Sequence, residues 1–464
     1  MIKFFKINDP YRLVVIAIVF LAIRTILFLF DFDFTIQELK FLIAAKTINQ
    51  GKWLYRDIWE TTEPLTTLFY SLLPNSTIAF KNTAYWINVI LILFNSIYVN
   101  YFFQKFDILS TKSHLPSFFY LFFSLTVFEL NSFSSSLLAS TLLLFMVSNL
   151  LAYFKKEEPK RLYDASFCLG IASLFYLPSI CFFIVTLFSV IAFTREIAKS
   201  FILLLLGILF PWIIVSIIFL WQDGLADFYR IFLFNYFSEY QNYIVYSELW
   251  TIVLAPGLAL ITILYFSINS NIREINYQSV CRRLFVIWSI GGIIAFSILP
   301  FKSFASIHLF ILPLSYFFSY YTVNLKKTYF PSMILLLCIV LMVTFQIRSL
   351  KGISLIKSMI KISTKPPEIS SLKDKKIWVS GDSISYYLNA KVSTKYLNWE
   401  VSRIDFDNTK EFVAIESIRN SFYKEMPEII IDQNRIMPKI FKRIPELGTH
   451  YQQQKIGYYI LNSK

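Results

Sequence analysis

The sequence places several carboxylates between its first two strongly apolar segments. Six of them lie between residues 31 and 63, namely Asp31, Asp33, Glu38, Asp57, Glu60 and Glu63. Carboxylates can act as general bases or as ligands for a cation. The alternative for any one of Asp57, Glu60 or Glu63 is that it only keeps a surface loop in water.

Arg24 lies inside the first apolar segment, where a charged side chain is costly and usually faces a partner or a polar cavity. Asp31 follows seven residues later, about two turns along the same helical face. One hypothesis is therefore a contact between the two at the end of the first helix. The alternative is that Arg24 extends along the apolar surface to the outer headgroups.

The composition is that of a membrane protein. Hydrophobic residues make up 56% of the 464 residues, aromatic residues 19% and charged residues only 16%, and the mean hydropathy is +0.56. A soluble globule is therefore excluded. About eleven apolar windows could each span a bilayer, with centres near residues 22, 93, 122, 144, 170, 186, 210, 260, 291, 314 and 338. Pro178 separates the windows near 170 and 186, which we interpret as two short spans; one kinked or re-entrant segment is the alternative.

Lys and Arg in the short loops orient the chain. If the N-terminus is inside, every inside loop is basic, as around Lys112, Arg161, Arg195, Arg283 and Lys327. This positive-inside pattern predicts a cytoplasmic N-terminus and a C-terminus outside. The net charge of +14 then indicates contact with membrane lipids, through anionic headgroups or lipid phosphates, rather than with nucleic acid.

The first outer loop, residues 31–82, is expected at the membrane surface. Apolar residues recur with a helical period over 36–48, which predicts an amphipathic interfacial helix. Gly51 is suited to a left-handed cap after it. Trp53, Tyr55 and Trp59 follow, and we expect them at headgroup level.

The composition changes near residue 350. Residues 350–372 form a polar linker that contains proline. Residues 373–464 then alternate strand-like and helix-like pieces, with strands predicted over 376–382, over 427–432 and in "YYIL". The sequence therefore predicts an α-helical polytopic membrane domain over 1–349 and a small extracytoplasmic α/β domain over 373–464.

Charged or ionisable residues outside residues 31–63 are further candidates for a functional site. Glu129 lies in the tight outer turn between the third and fourth predicted spans, where it either belongs to a site or meets water. Lys302 and His308 flank the outer end of the tenth span. A lysine there suits a lipid phosphate; His308 is a candidate ligand or base, with a packed, hydrogen-bonded histidine as the alternative.

Short motifs in the chain resemble the GT-C superfamily of integral-membrane glycosyltransferases. The first helix ends in acids, the first outer loop carries a helix that closes on "GKWLYRDIW", and "EPL" follows. Nearer the C-terminus, "FKSFASIHLFILPLSYF" is similar to a segment with a basic residue, His and Pro-Leu in many bacterial members, and "PEIIIDQN" is similar to their small outside domain. The resemblance is one of layout and covers most of the chain.

The resemblance implies transfer of a sugar from a polyprenyl-phosphate-linked donor to a glycan, lipid or protein acceptor. It places this reaction at the outer face of a bacterial inner membrane. The candidate catalytic carboxylates are Asp31, Asp33, Glu38 and Glu129. The candidates for binding substrate or lipid phosphate are Arg24, Arg56, Lys302 and His308. If the reaction uses a divalent metal, Asp31 and Asp33 are its candidate ligands.

Two positions depart from the superfamily pattern. Gln37 stands where the O-mannosyltransferase branch has the Asp of an Asp-Glu pair, so only Glu38 matches. Glu63 stands where those enzymes place a basic residue. These departures motivate a second hypothesis, a GT-C-fold scaffold or lipid-binding subunit without catalysis. A lipid or solute transporter is the third.

Overall fold

The computed structural model describes residues 9–29, 34–126, 128–193, 196–234, 276–298, 304–324 and 372–462. The chain divides into two compact units. Of the described residues, the helical unit contains 9–29, 81–126, 128–193, 196–215, 276–298 and 304–324, and the loop–sheet unit contains 34–80, 216–234 and 372–462. Residues 34–80, which the sequence analysis assigns to the first outer loop, group with the C-terminal residues in this division.

The described helices are numbered in chain order. They are α1 (Pro10–Phe28), α2 (Ile36–Asn49), α3 (Pro64–Ser71), α4 (Thr77–Lys105), α5 (Leu115–Ser124), α6 (Ser135–Lys156), α7 (Pro159–Phe175), α8 (Phe183–Phe193), α9 (Ile197–Trp221), α10 (Leu225–Phe228), α11 (Asn276–Ile298), α12 (His308–Asn324), α13 (Trp399–Asp407), α14 (Phe412–Lys424), α15 (Met437–Arg443) and α16 (Pro445–Thr449). The strands are β1 (Lys376–Ser380), β2 (Lys391–Val392), β3 (Ile429–Asp432), β4 (Tyr451–Lys455) and β5 (Tyr458–Leu461).

The long apolar helices identify a polytopic membrane protein. In the described part of the chain, α1, α4, α6, α9 and residues Tyr277–Ile298 of α11 are long and apolar enough to cross a membrane. Shorter helices occupy the predicted windows near residues 122, 170, 186 and 314. The windows near 260 and 338 lie outside the described residues.

Local sequence signals explain where individual helices begin and end. Asp9 precedes α1, and its side chain accepts a hydrogen bond from the Tyr11 amide at 3.2 Å, which satisfies a free donor of the first turn. The α7 helix ends at Phe175, and Tyr176 is extended with φ of −155°. A 3₁₀ turn containing Pro178 spans Leu177–Phe182 before α8. The windows near 170 and 186 are therefore separate helices.

The loop–sheet unit contains a five-stranded sheet in the order β2-β1-β3-β5-β4. The β1 strand pairs in parallel with β2 and β3, whereas β5 is antiparallel to β3 and β4. Trp378 of β1 is fully buried and packs against Phe406 of α13 and Phe422 of α14, with centroids 5.2 Å away in each case. The strands predicted over 376–382, over 427–432 and in "YYIL" correspond to β1, β3 and β5.

Candidate active site

Glu38 closes a capping box at the start of α2. Its Oε2 accepts hydrogen bonds from the Thr35 amide at 3.0 Å and from the Thr35 hydroxyl at 3.1 Å. The Thr35 side chain in turn accepts from the Glu38 amide at 3.2 Å. This reciprocal pair satisfies donors that the first turn leaves free. The predicted catalytic residue Glu38 thus carries a structural role.

The capping box gives a first prediction. We expect Thr35→Ala to speed hydrogen exchange in the first turn of α2 by about fivefold, because loss of a cap costs about 1 kcal/mol. Glu38→Gln should leave exchange almost unchanged, since glutamine serves equally well in a capping box. Hydrogen exchange of the peptide over residues 34–42 measures both. Equal effects of the two variants would contradict the capping role.

The predicted helix over 36–48 corresponds to α2, and Gly51 adopts a φ of +85° after it. The helix is enclosed by protein on most sides, because all five residues from Phe41 to Ala45 are buried. Lys46 donates to the Leu388 carbonyl of the C-terminal domain at 3.1 Å. An amphipathic surface helix would expose one face to lipid or water. The α2 helix instead packs inside the loop–sheet unit.

Glu60 is fully buried between the first loop and the C-terminal domain. Its Oε1 accepts from the Asn398 side-chain amide at 2.9 Å and from the Thr61 amide at 3.0 Å. The Lys40 ammonium lies 3.9 Å from the same oxygen. Buried carboxylates require such partners. The alternative from the sequence, that Glu60 only solvates a surface loop, is wrong.

Glu63 is buried as well, at 5% exposure. Two buried phenols lie near it. Burial raises the pKa of Tyr55 well above its ordinary value, with further contributions from Glu63 and then Glu60. Burial likewise raises the pKa of Tyr70, with contributions from Glu38 and then Glu63. Nearby carboxylates thus add to the effect of burial at both phenols, and Glu63 contributes to each.

The aromatic residues expected at headgroup level are mostly inside the loop–sheet unit. Tyr55 has a φ of +68° and is fully buried; its hydroxyl donates to the Thr62 carbonyl at 2.7 Å. Trp59 is 3% exposed, with the Arg230 guanidinium 4.4 Å and the Lys395 ammonium 4.1 Å from its ring centroid. Tyr55 and Trp59 are therefore enclosed by protein, whereas Trp53 is 39% exposed.

Arg56, a predicted phosphate-binding residue, has protein partners. Its guanidinium donates to the Gln222 carbonyl at 3.0 Å and lies 3.4 Å from the Asp57 carboxylate. Lys424 of α14 also pairs with Asp57, at 2.9 Å. Partial burial opposes ionisation of Asp57, but the Trp53 amide, Lys424 and Arg56 outweigh it and lower the pKa of this carboxyl. Arg56 and Asp57 therefore join the first loop to neighbouring segments.

A second ion pair joins Lys52 of the first loop to Glu425, which follows α14. Lys376 of β1 binds the same carboxylate at 2.9 Å. Burial opposes ionisation of Glu425, yet hydrogen bonds from Lys52 and Lys376 lower its pKa below the ordinary value of 4.5. The two lysines therefore favour the ionised form of Glu425 in the folded state.

The lowered pKa of Glu425 predicts how stability changes with pH. A carboxyl with a depressed folded-state pKa stabilises the fold above its unfolded pKa, and the contribution is lost as pH falls through the folded value. We expect Glu425→Gln to lower stability by about 0.5 kcal/mol at pH 7. The difference from wild type should shrink as pH falls below 4.5, the ordinary value, and should vanish once pH is below the lower folded-state pKa. Unfolding temperatures of both proteins from pH 7 to pH 3 test this, and a constant difference would contradict it.

In the helical unit, Arg24 is fully buried. Its guanidinium donates to the Asn131 side chain, to the Ser124 carbonyl at 3.4 Å and to the Leu130 carbonyl at 3.3 Å. Residues Phe128–Asn131 form a 3₁₀ turn, so the backbone of Glu129 belongs to the turn that Arg24 holds. The alternative in which Arg24 extends to the headgroups is wrong, because its bonds lie within the protein.

His308 begins α12 and is 2% exposed. Neither of its ring nitrogens has a hydrogen-bond partner among the described residues. Asp31, Asp33 and Lys302, three of the predicted site residues, lie outside the described residues. Within the ranges that are described, no group of three or more His, Cys, Asp or Glu side chains is arranged to hold a metal ion.

The profile of a family of unknown function, DUF6427, matches residues 64–354, which is more than half of the chain. The chain belongs to the DUF6427 family. No curated protein matches this DUF6427 sequence.

The fold of this chain is similar to that of a solved structure. The crystal structure of ArnT from Cupriavidus metallidurans bound to undecaprenyl phosphate matches with a TM-score of 0.53 and 11% sequence identity, over 96% of this chain and 97% of that one. Similarity at this low identity shows the fold alone. The GT-C-like, polytopic architecture expected from the sequence motifs is thereby supported for this DUF6427 chain.

The sequence analysis did not include Glu60 and Glu63 among the candidate site residues. A signal for their burial was nevertheless present, because no Lys or Arg occurs between Arg56 and Lys81. Four threonines flank the two acids, and all four are buried: Thr61, Thr62, Thr66 and Thr67. Acids on a solvated loop are usually interspersed with opposite charges, whereas these acids lie among small hydroxyl and apolar residues.

Proposed function

We propose that this DUF6427 chain is a membrane glycosyltransferase of the GT-C type. It would move a sugar from a polyprenyl-phosphate-linked donor to an acceptor at the outer membrane face. The observation that carries the proposal is the fold shared with ArnT, whose structure contains undecaprenyl phosphate, over 96% of this chain. Supporting it, Glu60 in the first loop is a buried carboxylate, and the Lys40 ammonium lies 3.9 Å from its Oε1.

In the proposed reaction, the acceptor hydroxyl oxygen forms a bond to the anomeric carbon of the donor sugar. The bond from that carbon to the phosphate oxygen breaks, and the leaving polyprenyl phosphate keeps the electron pair. A carboxylate takes the hydroxyl proton, and a cation stabilises the leaving phosphate. Glu60 and Glu63 join Asp31, Asp33, Glu38 and Glu129 as candidates for the carboxylate.

Candidates for the phosphate-binding cation are those expected from the sequence, Arg24, Arg56, Lys302 and His308, together with Lys40. Lys40 lies 3.9 Å from the buried Glu60 carboxylate, and an ammonium suits a phosphate as a point charge. The predicted ligands for a divalent metal, Asp31 and Asp33, lie outside the described residues.

The proposal includes a location. The basic inside loops favour an N-terminus in the cytoplasm and a C-terminal domain outside. The superfamily resemblance favours a bacterial inner membrane. The acceptor would then be a glycan, lipid or protein reached from outside, and membrane lipids would surround the spans.

A transfer assay tests the proposal. The full-length protein is reconstituted in liposomes with a panel of labelled sugars on polyprenyl phosphate, and transferred label is measured in the lipid, glycan and protein fractions. Wild type is compared with Asp31→Asn, Asp33→Asn and Glu38→Gln. Transfer that one of these variants abolishes, while the protein stays folded, would support an enzyme. Absence of transfer from every donor would contradict the proposal.

A catalytically inactive scaffold or lipid-binding subunit is the second candidate. A specific observation favours it: acids of the first loop already hold structural contacts, with Glu38 in a capping box and Asp57 paired with Lys424. In the same assay, a scaffold would bind the lipid donor without turnover. Binding would also be unchanged in the three carboxylate variants.

A further inference from the structure

We propose that Asn398 of the C-terminal domain is a positioning residue for the Glu60 carboxylate. In the structure, a residue of the C-terminal domain reaches a buried acid of the first loop: the Asn398 Nδ2 donates to Glu60 Oε1 at 2.9 Å. Glu60 is fully buried, and Asn398 is 4% exposed. For its effect on sugar transfer, this inference rests on the proposed function, whereas the contact itself can be tested without it.

The orientation of the Asn398 amide is fixed by its position before α13. Its Oδ1 accepts hydrogen bonds from the Glu400 amide at 3.0 Å and from the Val401 amide at 3.4 Å, so Asn398 is the N-cap of that helix. Because the oxygen faces the helix, the NH₂ group must face away from it. That direction leads to Glu60.

Backbone hydrogen bonds join the same two segments, next to Glu60 and at Asn398. The Asn398 amide donates to the Trp59 carbonyl at 3.0 Å, and the Trp59 amide donates to the Lys395 carbonyl at 2.6 Å. Trp59, the residue immediately before Glu60, is thus hydrogen-bonded to the segment 395–398 through both its amide and its carbonyl. The C-terminal domain therefore holds both the backbone next to Glu60 and the carboxylate itself.

The hydrogen bond from Asn398 to Glu60 matters because the Glu60 carboxylate is buried and depends on nearby donors. Oε1 of Glu60 is approached by the Asn398 amide, the Thr61 amide and the Lys40 ammonium. Removing a donor from a buried carboxylate costs more than the bond itself contributes, because the desolvated acceptor finds no replacement. We infer that without Asn398 the carboxylate would reorient within the first loop. The C-terminal domain would then act in the reaction through this residue.

Hydrogen exchange of the full-length protein tests the contact. Asn398→Ser keeps a good N-cap but is too short to retain the bond to Glu60, and Asn398→Asp keeps the cap while it places a second carboxylate against Glu60. We expect amide exchange over residues 59–63 to rise about fivefold in the serine variant, and further in the aspartate variant. The matched control is Asn408→Asp, at the exposed far end of the same helix.

A double variant separates the contact from misfolding. When Asn398→Asp is combined with Glu60→Gln, only one carboxylate remains at the contact, so the repulsion between two buried carboxylates is removed. Exchange over residues 59–63 should then return toward the wild-type rate. Equal exchange in Asn398→Asp and Asn408→Asp, or no recovery in the double variant, would overturn the proposal.

The transfer assay supplies the functional readout. Asn398→Ser should lower kcat on the order of tenfold to hundredfold, with KM changed less than about twofold, as expected for a displaced catalytic group. Exchange that rises while kcat stays at the wild-type value would overturn the positioning role. If wild type transfers no sugar, the proposed function fails, and the exchange results alone decide whether Asn398 holds Glu60.

Discussion

If Glu60 is the general base of the proposed transfer, Glu60→Gln should lower sugar transfer by about 10²- to 10⁴-fold, the range for loss of such a base. The amide keeps an acceptor for Asn398 and Thr61, so the packing around position 60 is retained, but it can no longer take a proton. Transfer from the best donor of the panel, measured in proteoliposomes at saturating donor, gives kcat for the variant. Its unfolding temperature, measured in parallel, should stay close to that of wild type.

Asp57→Asn is the matched control for that experiment. It makes the same chemical change in the same loop, but Asp57 is bonded to Lys424 and Arg56. We expect its kcat to stay within about threefold of wild type, because the asparagine keeps an acceptor for these partners and ion pairs with an exposed lysine contribute little. If both variants lose transfer equally, the first loop matters through its packing, and Glu60 is not the base.

Arg24→Met should destabilise the helical unit by about 3 kcal/mol. Methionine is unbranched like the aliphatic part of the arginine side chain but has no donor, so the Asn131 side chain and the carbonyls of Ser124 and Leu130 lose a partner. Each buried polar group left without a bond costs about 1–3 kcal/mol. Unfolding of the purified protein in detergent, followed by denaturant titration, measures the loss. Arg24→Lys should give an intermediate value, since the ammonium replaces only some of the bonds.

Thr25→Ala supplies the comparison on the same helix. Thr25 is exposed, and its hydroxyl donates only within the helix, to the Leu21 carbonyl at 2.8 Å. Its replacement should change stability by less than about 0.5 kcal/mol. An Arg24→Met protein as stable as Thr25→Ala would show that Arg24 does not hold the Phe128–Asn131 turn. The phosphate-binding role proposed for Arg24 would then be the remaining explanation for a buried arginine.

Features that depend on local sequence were predicted well. The helix over 36–48 and the left-handed Gly51 correspond to α2 and its cap, because periodicity and capping are properties of consecutive residues. The break at Pro178 follows from the missing amide of proline. The strands β1, β3 and β5 could also be predicted from consecutive residues, because β-branched runs bounded by turn residues favour extended backbone.

The burial of α2 and the surroundings of its acids were predicted poorly. Polar residues in the helix suggested an exposed face, yet Lys46 bonds to Leu388, more than three hundred positions along the chain. Glu60 similarly depends on Asn398. Nothing in the first loop indicates that a distant segment will cover it, so its acids look like solvated loop residues.

The sequence by itself determined the membrane class, the positions of individual helices and strands, and the GT-C-like layout, since these depend on hydrophobic length, period and short motifs. The tertiary structure decided which polar residues are buried and what they bind. It turned Arg24 toward a turn about one hundred residues away and enclosed Glu60 beside Lys40. The physical reason is that the energy of a charged group depends on its neighbours in space, and these come from segments that the sequence order keeps apart.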